Sequence, residues 1–208
     1  MSEKKVRLYT LEIILTTPML GTIPLEANKA ESYVLAKAED SLPADERTTL
    51  PFDADLELAK ITTGFHRFPD SKIPLIYSYV VKGFLKNAGK VFNGQRAVKN
   101  LKSKVNDYVF VGPRQITLHL PEGGQIGMLS RPLRAETAQG PRTALARSET
   151  VPEGTWLHCD VEVLSEELKD ELLRDLLDYG AKMGLGQWRN SGVYGTFSYK
   201  FESKPSRP

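Results

Sequence analysis

Hydrophobic and polar positions alternate along the first ordered stretch of the chain. From Val6 to Thr16 the residues Tyr9, Leu11, Ile13 and Leu15 fall on one face, and Thr17-Pro18 closes the run, which predicts a first β-strand. The period then changes. Asp70-Ser71 followed by Pro74 is a helix-start signal, and Ile76, Val80, Gly83, Phe84, Ala88 and Val91 make a stripe spaced by three or four residues, so a helix is expected from there to about Val91. Gly83 in that stripe costs about 1 kcal/mol against alanine, and close packing on a neighbouring backbone is the expected reason for it. Tyr108 to Val111 and Gln115 to Leu120 are short strands divided by the turn signal Gly112-Pro113. Thr155 to Val163 alternates again, with Leu157, Cys159, Val161 and Val163 turned inward. Ser165 with Glu166 and Glu167 predicts the start of a second helix, carried by Leu168, Leu172, Leu173, Leu176, Leu177 and Met183 and ended by Gly184 at the C′ position. Val193 to Phe201 is expected to form the last strand, and 203–208 a disordered tail.

Two stretches interrupt this order. Residues 21–69 hold prolines at 24, 43, 51 and 69 and read as a long insertion, with a helical piece around Ala27 to Ala38. Residues 126–151 read as an extended arm or hairpin turning at Gln139-Gly140-Pro141. Without them the order is βαββαβ, the ferredoxin-like plan of an antiparallel sheet with two helices on one face and the other face free for a ligand. A single domain over 1–202 is expected.

Composition narrows the chemistry. With one cysteine, Cys159, there is neither a disulfide framework nor a multi-cysteine zinc site. No apolar run approaches the roughly 18 residues a spanning helix needs, so a cytoplasmic protein without membrane contact is expected. The net charge of +2 hides a strong local imbalance. Glu39 to Glu57 holds seven acids against Arg47, whereas Ser71 to Asn106 holds no acid and eight cations, Lys82, Lys86 and Lys90 among them as a stripe at i, i+4, i+8. The arm adds Arg131, Arg134, Arg142 and Arg147 against Glu136 and Glu149. Such local fields attract polyanions even in a nearly neutral protein, or else form a solvated face.

The remaining signal is the run Gly184-Leu185-Gly186-Gln187-Trp188-Arg189-Asn190-Ser191-Gly192-Val193-Tyr194-Gly195-Thr196-Phe197. Its glycines suit a tight turn or a close approach to a ligand, while Trp188 could stack on a base and Arg189 could meet a phosphate. The run follows a helix and precedes a strand, the reverse of a dinucleotide fingerprint, and no phosphate-loop, HExxH or EF-hand spacing occurs. No cofactor and no metal are expected.

The βαββαβ order, the glycine-rich break after the second helix and a last strand entered through Gly-Val-Tyr-Gly-Thr-Phe resemble the RAMP superfamily of CRISPR effector and guide-processing complexes. Leu15-Thr16-Thr17-Pro18-Met19-Leu20, Gly64-Phe65-His66-Arg67 and Val81-Lys82-Gly83-Phe84-Leu85-Lys86-Asn87-Ala88 are similar to small RAMP-like proteins of bacteriophages. The resemblance implies single-stranded RNA or DNA as partner, RNA preferred, in a bacterial or phage-infected cell. It assigns contact with, or shaping of, the binding face to Gly184, Gly186, Arg189, Gly192 and Gly195, and the role of an extended thumb to the arm. Assembly of copies along the strand, or with other subunits of a ribonucleoprotein, follows from the same likeness.

Non-catalytic binding is therefore the leading expectation. A protein-interaction or homo-oligomeric module, with the acidic insertion docked on a basic face, is the alternative. A metal-independent endoribonuclease is a third. For it His66, in a glycine- and aromatic-flanked loop beside Arg67, is the candidate general acid or base, since His119 and His158 sit in strand patterns.

Overall fold

The computed structural model describes residues 6–25, 62–94, 98–137, 140–189 and 193–205, and of 132–145 only the strand backbone. Its elements begin with β1 (Arg7–Leu15), β2 (Met19–Leu20), β3 (Ile23–Pro24), β4 (Thr62–Gly64), β5 (His66–Arg67), β6 (Pro74–Tyr77), α1 (Ser78–Val91) and α2 (Leu101–Tyr108). They continue through β7 (Val109–Gly112), β8 (Gln115–Thr117), β9 (Gly127–Thr137), β10 (Gly140–Val151), β11 (Trp156–Val163), α3 (Asp170–Met183) and β12 (Phe197–Lys204). The chain is a mixed α+β fold.

Its centre is the four-stranded sheet β12-β1-β11-β7, antiparallel at every pairing. The connection from β1 to β7 skips a position that β11 fills, and the one from β11 to β12 skips the position of β1. The alternation read in β1 and β11 is kept. Tyr9, Leu11, Ile13 and Leu15, with Leu157, Cys159, Val161 and Val163, are buried on the face against which α1 and α3 pack. The two helices meet where Phe84 of α1 covers Gly180 of α3; a Cβ on Gly180 would stand 2.5 Å from that ring.

The opposite face of the sheet is crossed by charge pairs rather than left open for a polyanion. Lys200 reaches Glu12 at 2.8 Å and Lys204 reaches Asp160 at 2.6 Å, with Glu162 and Glu202 on neighbouring strands of the same face. Four acids against two lysines on this face make it unsuited to phosphates.

Several boundaries differ from the sequence reading. Pro74–Tyr77 is a strand and not the first turn of a helix, because all four residues are buried and β6 pairs with both β5 and β8. Helix α1 therefore starts at Ser78, after an extended Tyr77. Its buried face is Val81, Phe84, Leu85, Ala88 and Gly89, while Gly83 and Val91 are exposed. The close backbone approach expected at Gly83 occurs instead at Gly89, where a Cβ would lie 3.3 Å from the Lys102 backbone. Helix α2 was not legible in the pattern, since only Leu101 and Val105 of its eight residues are buried.

Helix α3 begins at Asp170, five residues after Ser165. The Arg7 guanidinium occupies the carbonyls of Ser165 (2.8 Å) and Leu168 (2.6 Å) and holds that segment as a separate turn. No side chain caps α3, but Asp170 and Glu171 place negative charge in its first turn, where the exposed amides favour it. The last strand is Phe197–Lys204, so Ser203 and Lys204 belong to the sheet and pair with Tyr9 and Leu8.

The insertion closes on itself at its two ends, where β3 pairs with β4; the helical piece expected around 27–38 lies outside the described residues. The expected arm is the antiparallel pair β9 and β10. Its root is built into a second sheet, since β10 also pairs with β2 and β4.

Candidate nucleic-acid interface

The glycine run leaves α3 through Gly184 at φ 80°, a conformation that only glycine adopts without strain. Its base is pinched shut. The Leu185 N–H donates to the Gly195 carbonyl at 2.8 Å, and the Gly195 N–H donates to the Pro18 carbonyl at 2.9 Å. A Cβ on Gly184 would stand 2.2 Å from the Tyr194 carbonyl oxygen, and one on Gly195 2.0 Å from that of Leu185. Gly184 and Gly195 are thus buried against their own chain and shape the loop without reaching its outer surface. Gly186 lies on β2, where a Cβ would meet the Leu20 carbonyl oxygen at 2.4 Å. Gly192 lies outside the described residues.

Clamped in this way, the loop presents Gln187, Trp188 and Arg189 beside the start of α1. Gly186, Gln187 and Arg189 line an open groove of about 580 Å³ together with Tyr79, Gly83, Lys86, Asn87 and Lys90 of α1 and Lys102 of α2. Four cations and no acid are among its described lining residues. The helix period explains the selection. At about 100° per residue, Tyr79, Gly83, Lys86 and Lys90 share one side of α1, and the bare backbone of Gly83 leaves the groove floor open.

Lys82 sits off that side. Its ammonium donates to the Asn106 carbonyl at 2.7 Å and lies 5.1 Å from the centre of the Phe110 ring. Burial, with a smaller contribution from the neighbouring Lys86 charge, pushes its pKa down.

The arm meets the loop at Arg131, whose guanidinium lies over both Trp188 and Tyr194. Opposite residues in the arm are Arg131 and Ala146, Arg134 and Thr143, Ala135 and Arg142, and Ser130 and Arg147. The side chains of Arg134 and Arg142 lie outside the described residues, and Arg147 sits at the root of the arm opposite Thr62 of β4.

His66 is 3% exposed, stands edge-on to Tyr77 at 4.8 Å, and borders a cavity of about 20 Å³, room for about one water, beneath the groove. The adjacent Arg67 is engaged by Glu149, with contacts of 2.7 and 3.2 Å to the two carboxylate oxygens.

Sequence reasoning missed Tyr79 and Gln187 as groove residues. The spacing 79, 83, 86, 90 was there to be read, but the lysines at 82, 86 and 90 drew the face about 30° round the helix from its centre. Lys102 stood in the acid-free segment without any sign of which wall it would join.

No family model and no curated protein matches the chain. Solved structures do, and one is a chain in the cryo-EM structure of the Type III-B Cmr-beta bound to cognate target RNA, with a TM-score of 0.59 and 12% identity. The alignment covers 98% of this chain and 62% of that one, so the present chain corresponds to less than two thirds of its neighbour's length. At that identity the likeness is one of fold. Among the described residues no helix is long and apolar enough to cross a membrane.

Proposed function

We propose that this protein binds single-stranded nucleic acid, RNA in preference to DNA, as a non-catalytic RAMP-like module on the ferredoxin-like plan, within an assembly of several subunits. The observation that carries this reading is the convergence of Lys86, Lys90, Lys102 and Arg189, from three segments separated in sequence, on one groove with no acid among its described lining residues. Cations held on one wall neutralise successive phosphates and release their counterions, which is the main source of sequence-independent affinity. The β12-β1-β11-β7 order, with each helical connection skipping one strand, supports the ferredoxin-like plan. Likeness in fold to a chain of an RNA-bound complex supports RNA as the ligand. In this reading Gly184 and Gly195 set the loop, Gly186 seats it on β2, and Arg131 with Trp188 forms its outer edge toward the arm.

The test is fluorescence anisotropy of a labelled single-stranded RNA across a salt series. Affinity is expected to fall with a slope of about −0.7 per phosphate contacted, near −3 for four contacts, and Arg189→Ala is expected to weaken binding about uniformly across sequences. Absence of binding at low salt, or affinity that ignores salt, overturns the proposal.

A further inference from the structure

Gln187 is held as if its orientation mattered. Its side-chain Oε1 stands 3.3 Å from the Thr63 hydroxyl and 3.2 Å from the Ser148 hydroxyl, and those two hydroxyls are 2.8 Å apart. The Thr63 hydroxyl also lies 3.5 Å from the Arg147 carbonyl. With Thr63 donating to Ser148 or to that carbonyl and Ser148 donating to Oε1, the carboxamide oxygen is held by the hydroxyl pair and the NH₂ is left to donate into the groove that Gln187 lines. The supporting atoms are themselves anchored. Ser148 is buried, Thr63 and Ser148 face each other on the parallel pair β4 and β10, and the Gln187 N–H donates to the Leu20 carbonyl. Partners drawn from three strands to orient one amide exceed what a solvated loop residue needs, and match how a recognition group is pre-organised.

The same groove is lined by Tyr79, whose ring is stacked parallel to that of Tyr77 (centres 5.7 Å apart, planes 1° apart) and is thereby fixed in orientation. An aromatic ring of set orientation, a set donor and a cationic wall are the three components of a nucleotide-binding site: stacking for the base, a hydrogen bond for its edge, and charge for its phosphate.

We propose that Tyr79 and Gln187 form a nucleobase-recognition site within the groove, Tyr79 stacking on one base of a bound single strand and Gln187 donating to the C4 position of its edge, which favours uracil over cytosine. Uracil carries a carbonyl at the position where cytosine carries an amino group, so a fixed donor meets an acceptor in the first and a second donor in the other. The inference rests on the groove's being the RNA-binding surface.

The experiment compares three ten-nucleotide RNAs at one moderate salt concentration: all-uridine, all-cytidine and abasic. The wild-type protein is expected to bind uridine about fivefold or more tighter than cytidine, and the abasic strand about tenfold more weakly than uridine. Tyr79→Phe keeps this ranking and Tyr79→Ala removes the abasic penalty. Gln187→Glu keeps the two hydroxyl contacts and replaces the donor by an acceptor, so the ratio of uridine to cytidine affinity drops to one or below. If all three strands bind alike with the steep salt slope intact, or cytidine is preferred, the recognition site is overturned and the groove stands. If none of the three binds, both fall.

Discussion

The guanidinium of Arg131 lies 4.9 Å from the centre of the Trp188 ring and 5.8 Å from that of Tyr194, which ties the root of the arm to the glycine loop. Trp188 has φ 49°, a left-handed conformation that a bulky residue holds only where its neighbours enforce it. Removing Arg131 withdraws one of them. Arg131→Ala is expected to cost about 1 kcal/mol and to open Trp188 to acrylamide quenching, read in a Trp156→Phe background so that Trp188 is the only indole.

Two glycines should respond in opposite directions to the same substitution. At Gly195, with φ 68° and the Leu185 carbonyl oxygen 2.0 Å from a Cβ, alanine meets both an unfavourable backbone conformation and a rigid neighbour, and the loss is expected to be at least about 2 kcal/mol. At Gly83 a Cβ meets nothing within 4 Å and the residue sits inside α1, so Gly83→Ala is expected to stabilise by about 0.5–1 kcal/mol. Calorimetric Tm values separate the two. Gly83→Leu should also fill the groove and weaken RNA binding.

The three lysines of α1 are not equivalent. Lys86 and Lys90 line the groove, whereas Lys82 is spent on the Asn106 carbonyl and the Phe110 ring. Lys86→Ala and Lys90→Ala should each flatten the salt slope of RNA binding by about 0.7, and Lys82→Ala should leave affinity within about twofold. Equal effects at all three positions would count against the groove.

Glu149 joins β10 to β5. It pairs with Arg67 on both carboxylate oxygens and accepts the Phe65 N–H at 3.1 Å, with both side chains largely buried. Breaking a pair of this kind leaves an uncompensated charge, so Glu149→Ala is expected to destabilise by about 3 kcal/mol, measured by urea unfolding. The double variant Arg67→Met, Glu149→Leu should recover part of that loss.

Alkaline pH should loosen the core in two steps. Burial pushes the Cys159 thiol up to about 12, and burial with the Asp170 hydrogen bond pushes the Tyr9 phenol up to about 12. Both groups hold their protons more tightly folded than unfolded, so stability is full below the unfolded values and falls as pH rises from about 9 for Cys159 and about 10 for Tyr9 toward 12. Urea midpoints between pH 8 and 11 should decline accordingly, and Cys159→Ala should remove the earlier part of the decline. In the native protein at pH 8 the thiol should resist a thiol reagent until denaturant is added.

How much of this was legible in the sequence depends on the range of the interaction concerned. β1 and β11 were readable because a strand half buried in a sheet alternates with period two whatever it pairs with. The arm was readable for the same kind of local reason, a turn between two extended runs. Pro74–Tyr77 was not, since four consecutive apolar residues next to a helix continue its stripe equally well, and only pairing with β5 and β8 makes them a strand.

The candidate site divides in the same way. A lysine-rich helix, a glycine-punctuated loop with Trp188 and Arg189, and an arginine-bearing arm can be read along the chain, because composition and period are properties of neighbours along the backbone. Packing across the fold sets the rest: Lys86 and Lys90 share a groove with Arg189 while Lys82 does not, Gly184 and Gly195 face inward, and Gln187 is oriented by Thr63 and Ser148. Those relations span up to about a hundred and twenty residues of chain, and they follow from which buried surfaces meet when the sheet closes, a choice that no local pattern records.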